Sequence, residues 1–311
     1  MLPLVSVIIP VFNHEKELKQ ALVSLHEQTY QNVEIIVVDD GSDRRLKIED
    51  LRFKIESVSA CGLRRTSSVS ACWLRRTRRW FNSPQLAAEQ ESRACSGVHT
   101  FDSVSACWLR RTRGWFNSPQ LVAEQESRAC SGVHTFDLVR QENKGAPAAR
   151  NRGLEETKGE YVIFWDADVV GEPEMLLKMY EALQKNTNAS FAYSNFYFGW
   201  KKFLLQHFNT STLQQKNYIH STSLIRKRDA IQWDESLRRF QDWDYWLSMS
   251  EHGKSGVWID EYLFKVIPGG SMSAWLPKFA YKKPWRFLPW IKKMVKNYEE
   301  AREVVAKKHL L

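Results

Sequence analysis

Gly159-Glu160-Tyr161-Val162-Ile163-Phe164-Trp165-Asp166-Ala167-Asp168-Val169 is an apolar run that stops on two carboxylates. Tyr161–Trp165 has no polar alternation, which is the pattern of an interior strand covered on both faces in an α/β sheet. Open α/β sheets place ligands just beyond the carboxyl ends of their strands. Asp166 and Asp168, separated by a small alanine at such an end, suit a hard divalent cation, and such a cation suits a diphosphate.

The segments around this run repeat the strand–helix alternation. Val5–Pro10 reads as a second buried strand. Glu15–Glu27 reads as an amphipathic helix with Leu18, Ala21, Leu22 and Leu25 on one face. Val33–Val38 reads as a third strand and ends in Asp39-Asp40-Gly41-Ser42. Pro147 fits the first turn of a helix running through Gly153 and Leu154. Pro173 opens another, with Met175, Leu176, Met179, Tyr180 and Leu183 turned inward. This order predicts an α/β fold with a mainly parallel, doubly wound sheet.

Three strand ends then carry chemistry. After the first, Pro10-Val11-Phe12-Asn13 offers an aromatic ring to lie against a base. After the second, Asp39 or Asp40 offers an acceptor for a base or ribose. After Trp165 comes the acid pair. Between them, Asn143-Lys144-Gly145 through Arg150-Asn151 supplies cations and helix-start amides for phosphate.

A block within the chain departs from this pattern. Ser68–Asp102 is repeated as Ser103–Asp137 with two changes, Arg79 to Gly114 and Ala87 to Val122, and a truncated head of it begins at Ser57. Structural repeats diverge at solvent positions, so near-identity throughout reads as a recent in-frame duplication. Residues 57–137 hold all five cysteines and no Lys, Ile, Tyr or Met. Their eleven arginines against six acids supply about five of the nine net positive charges. Cys95 with His99 and Cys130 with His134 lack the second cysteine pair of a zinc module. Arg-rich stretches beside Trp80 and Trp115 are the only support for nucleic-acid binding. The expectation is a poorly packed insertion in a chain with no nucleic-acid partner.

With the insertion removed, the chain resembles the family 2 glycosyltransferases of the GT-A fold. VSVIIPVFN, VEIIVVDDGS, NKGAPAARNRG, GEYVIFWDADV and FQDWDYWL carry the resemblance in the family's order. It implies a doubly wound mixed sheet flanked by helices, formed by 1–56 and 138–268, with the acceptor half beginning near 190. It also implies a nucleotide-diphosphate sugar donor (a UDP-sugar favoured), Mg²⁺ or Mn²⁺, and inversion at the anomeric carbon. Pro10, Phe12, Asn13, Glu15, Asp39 and Asp40 would line the nucleoside pocket. Lys144 and Arg150 would lie near the donor. Asp166 would contact ribose or metal, and Asp168 would ligate the metal. Asp242 matches the family's catalytic base, with Trp243 and Asp244 beside the acceptor. The expected role is cell-envelope polysaccharide or lipid-linked glycan synthesis. The other reading carried forward is an inactive nucleotide-binding relative whose fold is compromised by the insertion. Three departures stand out: Val169 replaces a common third acid, Ser248 a common arginine, and Val266–Ser271 lacks a histidine. His220 is expected only to flank an acceptor-half strand.

Residues 269–311 form an aromatic, lysine-rich tail. Trp285, Phe287, Leu288, Trp290, Ile291 and Met294 beside Lys282, Lys283, Arg286, Lys292 and Lys293 point to an interfacial segment at about 275–296. No apolar stretch reaches the roughly 18–20 residues needed to span a bilayer. The N-terminus runs straight into a strand. The expected location is the cytoplasm, with peripheral contact on the inner membrane face.

Overall fold

The computed structural model describes residues 2–44, 46, 135–268 and 289–311. In chain order the elements are β1 (Val5–Val11), α1 (Glu15–His26), β2 (Val33–Asp39), β3 (Thr135–Arg140), α2 (Ala146–Glu156), β4 (Tyr161–Phe164), β5 (Val169–Gly171) and α3 (Met175–Lys185). There follow β6 (Phe191–Phe198), β7 (Lys201–Phe203), α4 (Thr210–Gln215), β8 (Leu224–Arg226), α5 (Gln241–Glu251), β9 (Gly256–Val266) and α6 (Pro289–Lys308). One sheet joins the strands in the order β3-β2-β1-β4-β8-β6-β9-β5, with β7 paired to β6.

The first half is wound as the sequence predicts. β3, β2, β1 and β4 are mutually parallel, with Ile8 opposite both Ile36 and Phe164. The side chains of β1, β2 and β4 are almost all buried, which is why they read as continuous apolar runs. From β1 the chain moves outward to β2 and β3, then returns through α2 to β4 on the other side of β1. That reversal opens a crevice at the carboxyl ends of β1 and β4. Gly153 lets α2 lie close on the sheet: a Cβ there would sit 2.3 Å from Ile8 Cγ2.

The second half makes the sheet mixed, as the resemblance implies, rather than mainly parallel. β8 runs antiparallel to β4 and β6, and β5 antiparallel to β9. β8 and β5 have three residues each, too short for a side-chain period to register in sequence. β6 and β9 are parallel, with an irregularity around Asn195. The result is a mixed α/β sheet flanked by helices.

The repeated block lies almost wholly outside the described residues, including its cysteines, its histidines and its Arg-Trp stretches. Its last three residues are described, and they belong to the sheet. Thr135, Phe136 and Asp137 pair with Glu34, Ile35 and Ile36, and Phe136 is buried in the core. The repeat period therefore overshoots the edge of the fold by three residues. A deletion of 57–134 should keep β3 whole, whereas deletion through Asp137 removes half of the β2–β3 ladder and a buried phenylalanine. In urea unfolding the longer deletion is expected to be less stable than the shorter by about 2–4 kcal/mol. Equal stabilities would show that β3 tolerates a different start.

The tail expectation falls mainly on 275–288, all of which lies outside the described residues. On α6, part of the apolar face packs inward. Ile291, Val295 and Val305 are buried, and the outward positions include Lys292, Lys293 and Lys296. No helix among the described residues is long and apolar enough to cross a membrane.

Candidate active site

The acid pair sits on the link between β4 and β5, where the chain leaves the parallel half to pair with β9. Trp165 fixes this link from below: its indole is fully buried, and Nε1 donates to the Val169 carbonyl at 3.0 Å. Gly171 has no side chain because the Trp165 ring fills that space. The Val169 N–H closes the turn onto the Asp166 carbonyl, and the Ile267 N–H donates to that of Asp168.

The two carboxylates live in different environments. Asp166 accepts from Arg150 Nη2 at 2.7 Å through one oxygen and from the Ser221 hydroxyl at 2.8 Å through the other. Burial opposes its ionisation, but the Arg150 guanidinium, His220 and these hydrogen bonds outweigh it, and Asp166 lies below the usual carboxylate range. Asp168 makes no ion pair among the described residues. Burial, then the neighbouring charge of Asp166, pushes its carboxyl up to about 7.

Arg150, on α2, is buried and makes the central connection. Its guanidinium stacks 4.5 Å over Trp233 and donates to Gln241 at 3.3 Å as well as to Asp166. Asn151, next on the helix, exchanges hydrogen bonds with the Trp233 backbone and donates to Glu235. α2 thereby docks the loop that leads into α5. Asp242 follows Gln241 in the first turn of α5, where the helix dipole favours a negative charge.

The opposite wall is the irregular segment before β8, which no sequence motif marks. Asn217 Nδ2 donates to Asp242 Oδ2 at 2.7 Å, while the Trp243 N–H holds Oδ1 at 3.0 Å. Asn217 Oδ1 is buried without a partner. His220 Nδ1 accepts from the Thr222 N–H at 3.1 Å, so the neutral ring carries its proton on Nε2. Burial lowers the His220 pKa, against the pull of Asp166 and Asp242. His220 was expected only beside a strand; it is a member of the site. These contacts run from Asp166 to Arg150 to Gln241, along the chain to Asp242, across to Asn217, and along the chain to Ser221, which returns to Asp166.

At the corner expected to take the nucleoside, Phe12 lies just after β1 and is 41% exposed, leaving its ring open to stacking. Pro10 beside it is half-buried. Asn13 takes a left-handed conformation (φ 58°) and is tied to Ser42 and Asp43 in both directions. Glu15 pairs with Lys19 on α1 and with Arg44 at 3.7 Å. Lys144 is exposed.

Asp39 and Asp40 are turned inward. Asp39 accepts from the Ser42 N–H and faces Arg140, and Asp40 accepts from Gln141 and from the N–H groups of Lys144 and Gly145. Both are buried and shape the corner by tying the loop after β2 to the loop before α2. Gly41, with φ 79° and a Cβ position 2.8 Å from the Asn143 nitrogen, allows that approach.

Trp243 and Asp244, expected beside the acceptor, are both buried in the packing of α5. Trp243 is buried and donates Nε1 to the Leu213 carbonyl at 2.6 Å. The Asp244 carboxylate meets His309 Nε2 and Lys308 Nζ, each at 2.8 Å, and His309 reaches on to Glu251 at 2.7 Å. These residues are the joint between α5 and the end of α6. Alternate positions along a helix turn face different ways, so neighbours of a base in sequence need not share its site.

The acid turn at the end of β4 and its contacts to α5 sit on a mixed α/β sheet whose first half is wound as in nucleotide-binding folds. Comparison with known proteins agrees: the model of the Glycosyl transferase family 2 matches residues 6–55 and 117–241, more than half of the chain. The chain belongs to that family. It is similar to a glycosyltransferase of Methanocaldococcus jannaschii, 22% identical over 138 residues that make up 40% of this chain and 48% of that protein. Glycosyltransferase GlyG of Streptococcus pneumoniae is 50% identical over 42 residues, 14% of each chain. Among solved structures, S. aureus TarS 1–349 in complex with UDP-GlcNAc superposes with a TM-score of 0.52 at 14% identity, covering 88% of this chain and 61% of that one. The match thus spans about half of the Methanocaldococcus protein and three-fifths of TarS 1–349.

Proposed function

We propose that the chain is an inverting glycosyltransferase that moves a sugar from a nucleotide-diphosphate donor to an acceptor hydroxyl. The observation that carries this reading is the set of contacts that ties Asp166 to α5 through Arg150 and Gln241, next to Asp242, which Asn217 holds. The base of the donor stacks on Phe12, and the helix-start amides of α2 with Lys144 face the phosphates. TarS is bound to UDP-GlcNAc in its structure, which makes UDP-sugars the first donors to test. The product would enter cell-envelope polysaccharide or a lipid-linked glycan.

The residues fit a divalent cation. Asp166 has both oxygens engaged, whereas Asp168 presents a carboxyl without a cation of its own among the described residues, poised by its neighbour's charge. Asp168 would be the main protein ligand for Mg²⁺ or Mn²⁺, with donor phosphate and water oxygens completing the shell. When bound, the ion offsets charge growing on the nucleoside diphosphate as it leaves.

The chain's own residues account for the remaining steps. Asp242, held by Asn217 and the Trp243 amide, takes the proton of the acceptor hydroxyl as it attacks the anomeric carbon from the face opposite the diphosphate. The bond to the diphosphate oxygen breaks as the new glycosidic bond forms, so the configuration inverts. Arg150 keeps Asp166 ionised and ties α5 to the acid turn. His220, with its proton on Nε2, feels the charge of both Asp166 and Asp242. A panel of UDP- and GDP-sugars, assayed for Mn²⁺-dependent release of free nucleotide, tests the reading. Release from at least one donor, abolished by chelation, is expected. No release from any donor, with or without acceptor glycans, would overturn it.

A further inference from the structure

The β6–β7 hairpin carries an anomaly that the transfer site leaves unused. Phe198 pairs with Lys201, so Gly199 and Trp200 form a two-residue turn, with Gly199 at φ 58°. Such turns favour Gly, Asn and Asp. Here the second position is a tryptophan, 93% exposed. At the far end of β7, Leu204 is 68% exposed. A Trp and a Leu left in water at both ends of a three-residue strand form a small apolar surface that no described residue covers.

The stem below is rigid. Phe203, Phe196 and Phe264 stack in sequence, with ring centroids 4.8 and 5.1 Å apart and nearly parallel planes. Lys201 lies 4.7 Å over Phe203. Beside the tip, Lys202, Tyr197 and Lys265 occupy one row across β7, β6 and β9 and share a sheet face. Lys202 reaches over Tyr197 and Tyr262 at 5.9 and 5.7 Å. The acid near this row is Glu172, close enough to Tyr197 to influence it, and burial pushes its carboxyl up. Exposed aromatic and leucine side chains beside a row of lysines and tyrosines match the boundary between headgroups and acyl chains of an anionic bilayer.

We propose that the β6–β7 hairpin, through Trp200, Leu204, Lys201 and Lys202, docks the protein on an anionic lipid surface. The site is separate from α6, where Ile291, Val295 and Val305 are buried. It lies beside Pro268, whose Cγ is 2.8 Å from a Cβ position on Gly199. One contact set supplies insertion, the other charge attraction, and two such signals together hold a protein on a membrane where one does not.

Co-flotation of the full chain with vesicles tests the proposal, using pure phosphatidylcholine and an equimolar mixture with phosphatidylglycerol. The protein should float with the anionic vesicles and not with the neutral ones. Trp200→Ser with Leu204→Ser, and separately Lys201→Glu with Lys202→Glu, should each weaken binding by about tenfold or more. Trp200, Lys202 and Leu204 are exposed and Lys201 is half-buried, and unchanged far-UV circular dichroism and melting would show that the variants fold. Vesicle binding equal to wild type in both double variants would overturn the proposal and move the lipid contact to another part of the chain. So would failure of the wild type to bind anionic vesicles. Retained vesicle binding with lost affinity for soluble glycan acceptors would also overturn it, by assigning Trp200 to sugar stacking. None of these outcomes depends on the donor chemistry at Asp168 or Asp242.

Discussion

Asp242→Asn should abolish sugar transfer while leaving the nucleotide sugar bound. The substitution keeps the size of the side chain and its place in the first turn of α5, and the Trp243 N–H can still donate to its carbonyl oxygen. It removes the carboxylate proposed as the base, which Asn217 and the Trp243 amide hold in place. Positioned general bases contribute about 10²–10⁴ in rate, and the loss should fall in that range. The donor's dissociation constant should stay within about threefold, because Asp242 touches neither the nucleoside corner nor the acid turn. Equal losses in binding and turnover would mean that the substitution disturbs Arg150 through Gln241, and normal turnover would remove Asp242 as the base.

The second large effect concerns Asp168. Its carboxyl is raised to about 7 in the folded chain from an ordinary value of 3.8. Below that point it holds a proton, and a hard cation requires the carboxylate, so binding must release the proton. Mn²⁺ affinity should therefore rise by about tenfold per pH unit between about pH 5.5 and 7 and level off above it. The same shift sets the sign for stability. A carboxyl whose folded pKa is raised binds more protons folded than unfolded, so the metal-free protein loses stability as pH climbs from about 4 to about 7. Saturating Mn²⁺ should restore it. Asp168→Asn should remove both pH dependences, and because outer-shell losses alone cost about 10–100-fold in metal affinity, its effect should exceed that. Mn²⁺ affinity that is flat with pH, or unchanged in the variant, would take Asp168 out of the metal site.

The parts of this fold that were legible in sequence are those whose residues are buried on both faces or punctuated by acids. β1, β2 and β4 stand out because a central parallel strand leaves no polar position to blur its run. The acid turn stands out because Asp166 and Asp168 follow β4 immediately. β8 and β5 were illegible because three residues carry no period, and their antiparallel pairing depends on partners far along the chain. Asn217, His220 and Ser221 were missed for a related reason. They lie on an irregular crossing segment, and only the fold brings them beside Asp166 and Asp242. Asp39 and Asp40 show the converse. Their place at a strand end suggested ligand contact, but nearby amides at Ser42, Lys144 and Gly145 are stronger local claimants for their oxygens. Asp244 was likewise taken by a partner no local pattern reveals, the end of α6.

That partner has a consequence for the base. α6 touches the residues that flank Asp242: Tyr298 meets Phe240 edge-on at 5.0 Å, and Arg302 lies 5.8 Å over Trp243. His309 and Lys308 then pin Asp244. Phe240 itself is held in a left-handed conformation at φ 58°, an unfavourable state for a bulky side chain that its surroundings must enforce. The end of the chain thus belongs to the packing around α5.

Titrating wild type, Asp168→Asn and Asp242→Asn with a UDP-sugar in the presence and absence of Mn²⁺, with nucleotide release followed in the same samples, tests the central claim most directly. The geometry of the site predicts a split. Wild type binds with Mn²⁺ and turns the donor over, Asp242→Asn binds without turnover, and Asp168→Asn loses the Mn²⁺-dependent binding itself. Identical behaviour of the two variants would contradict the assignment of donor binding to Asp168 and of the base to Asp242.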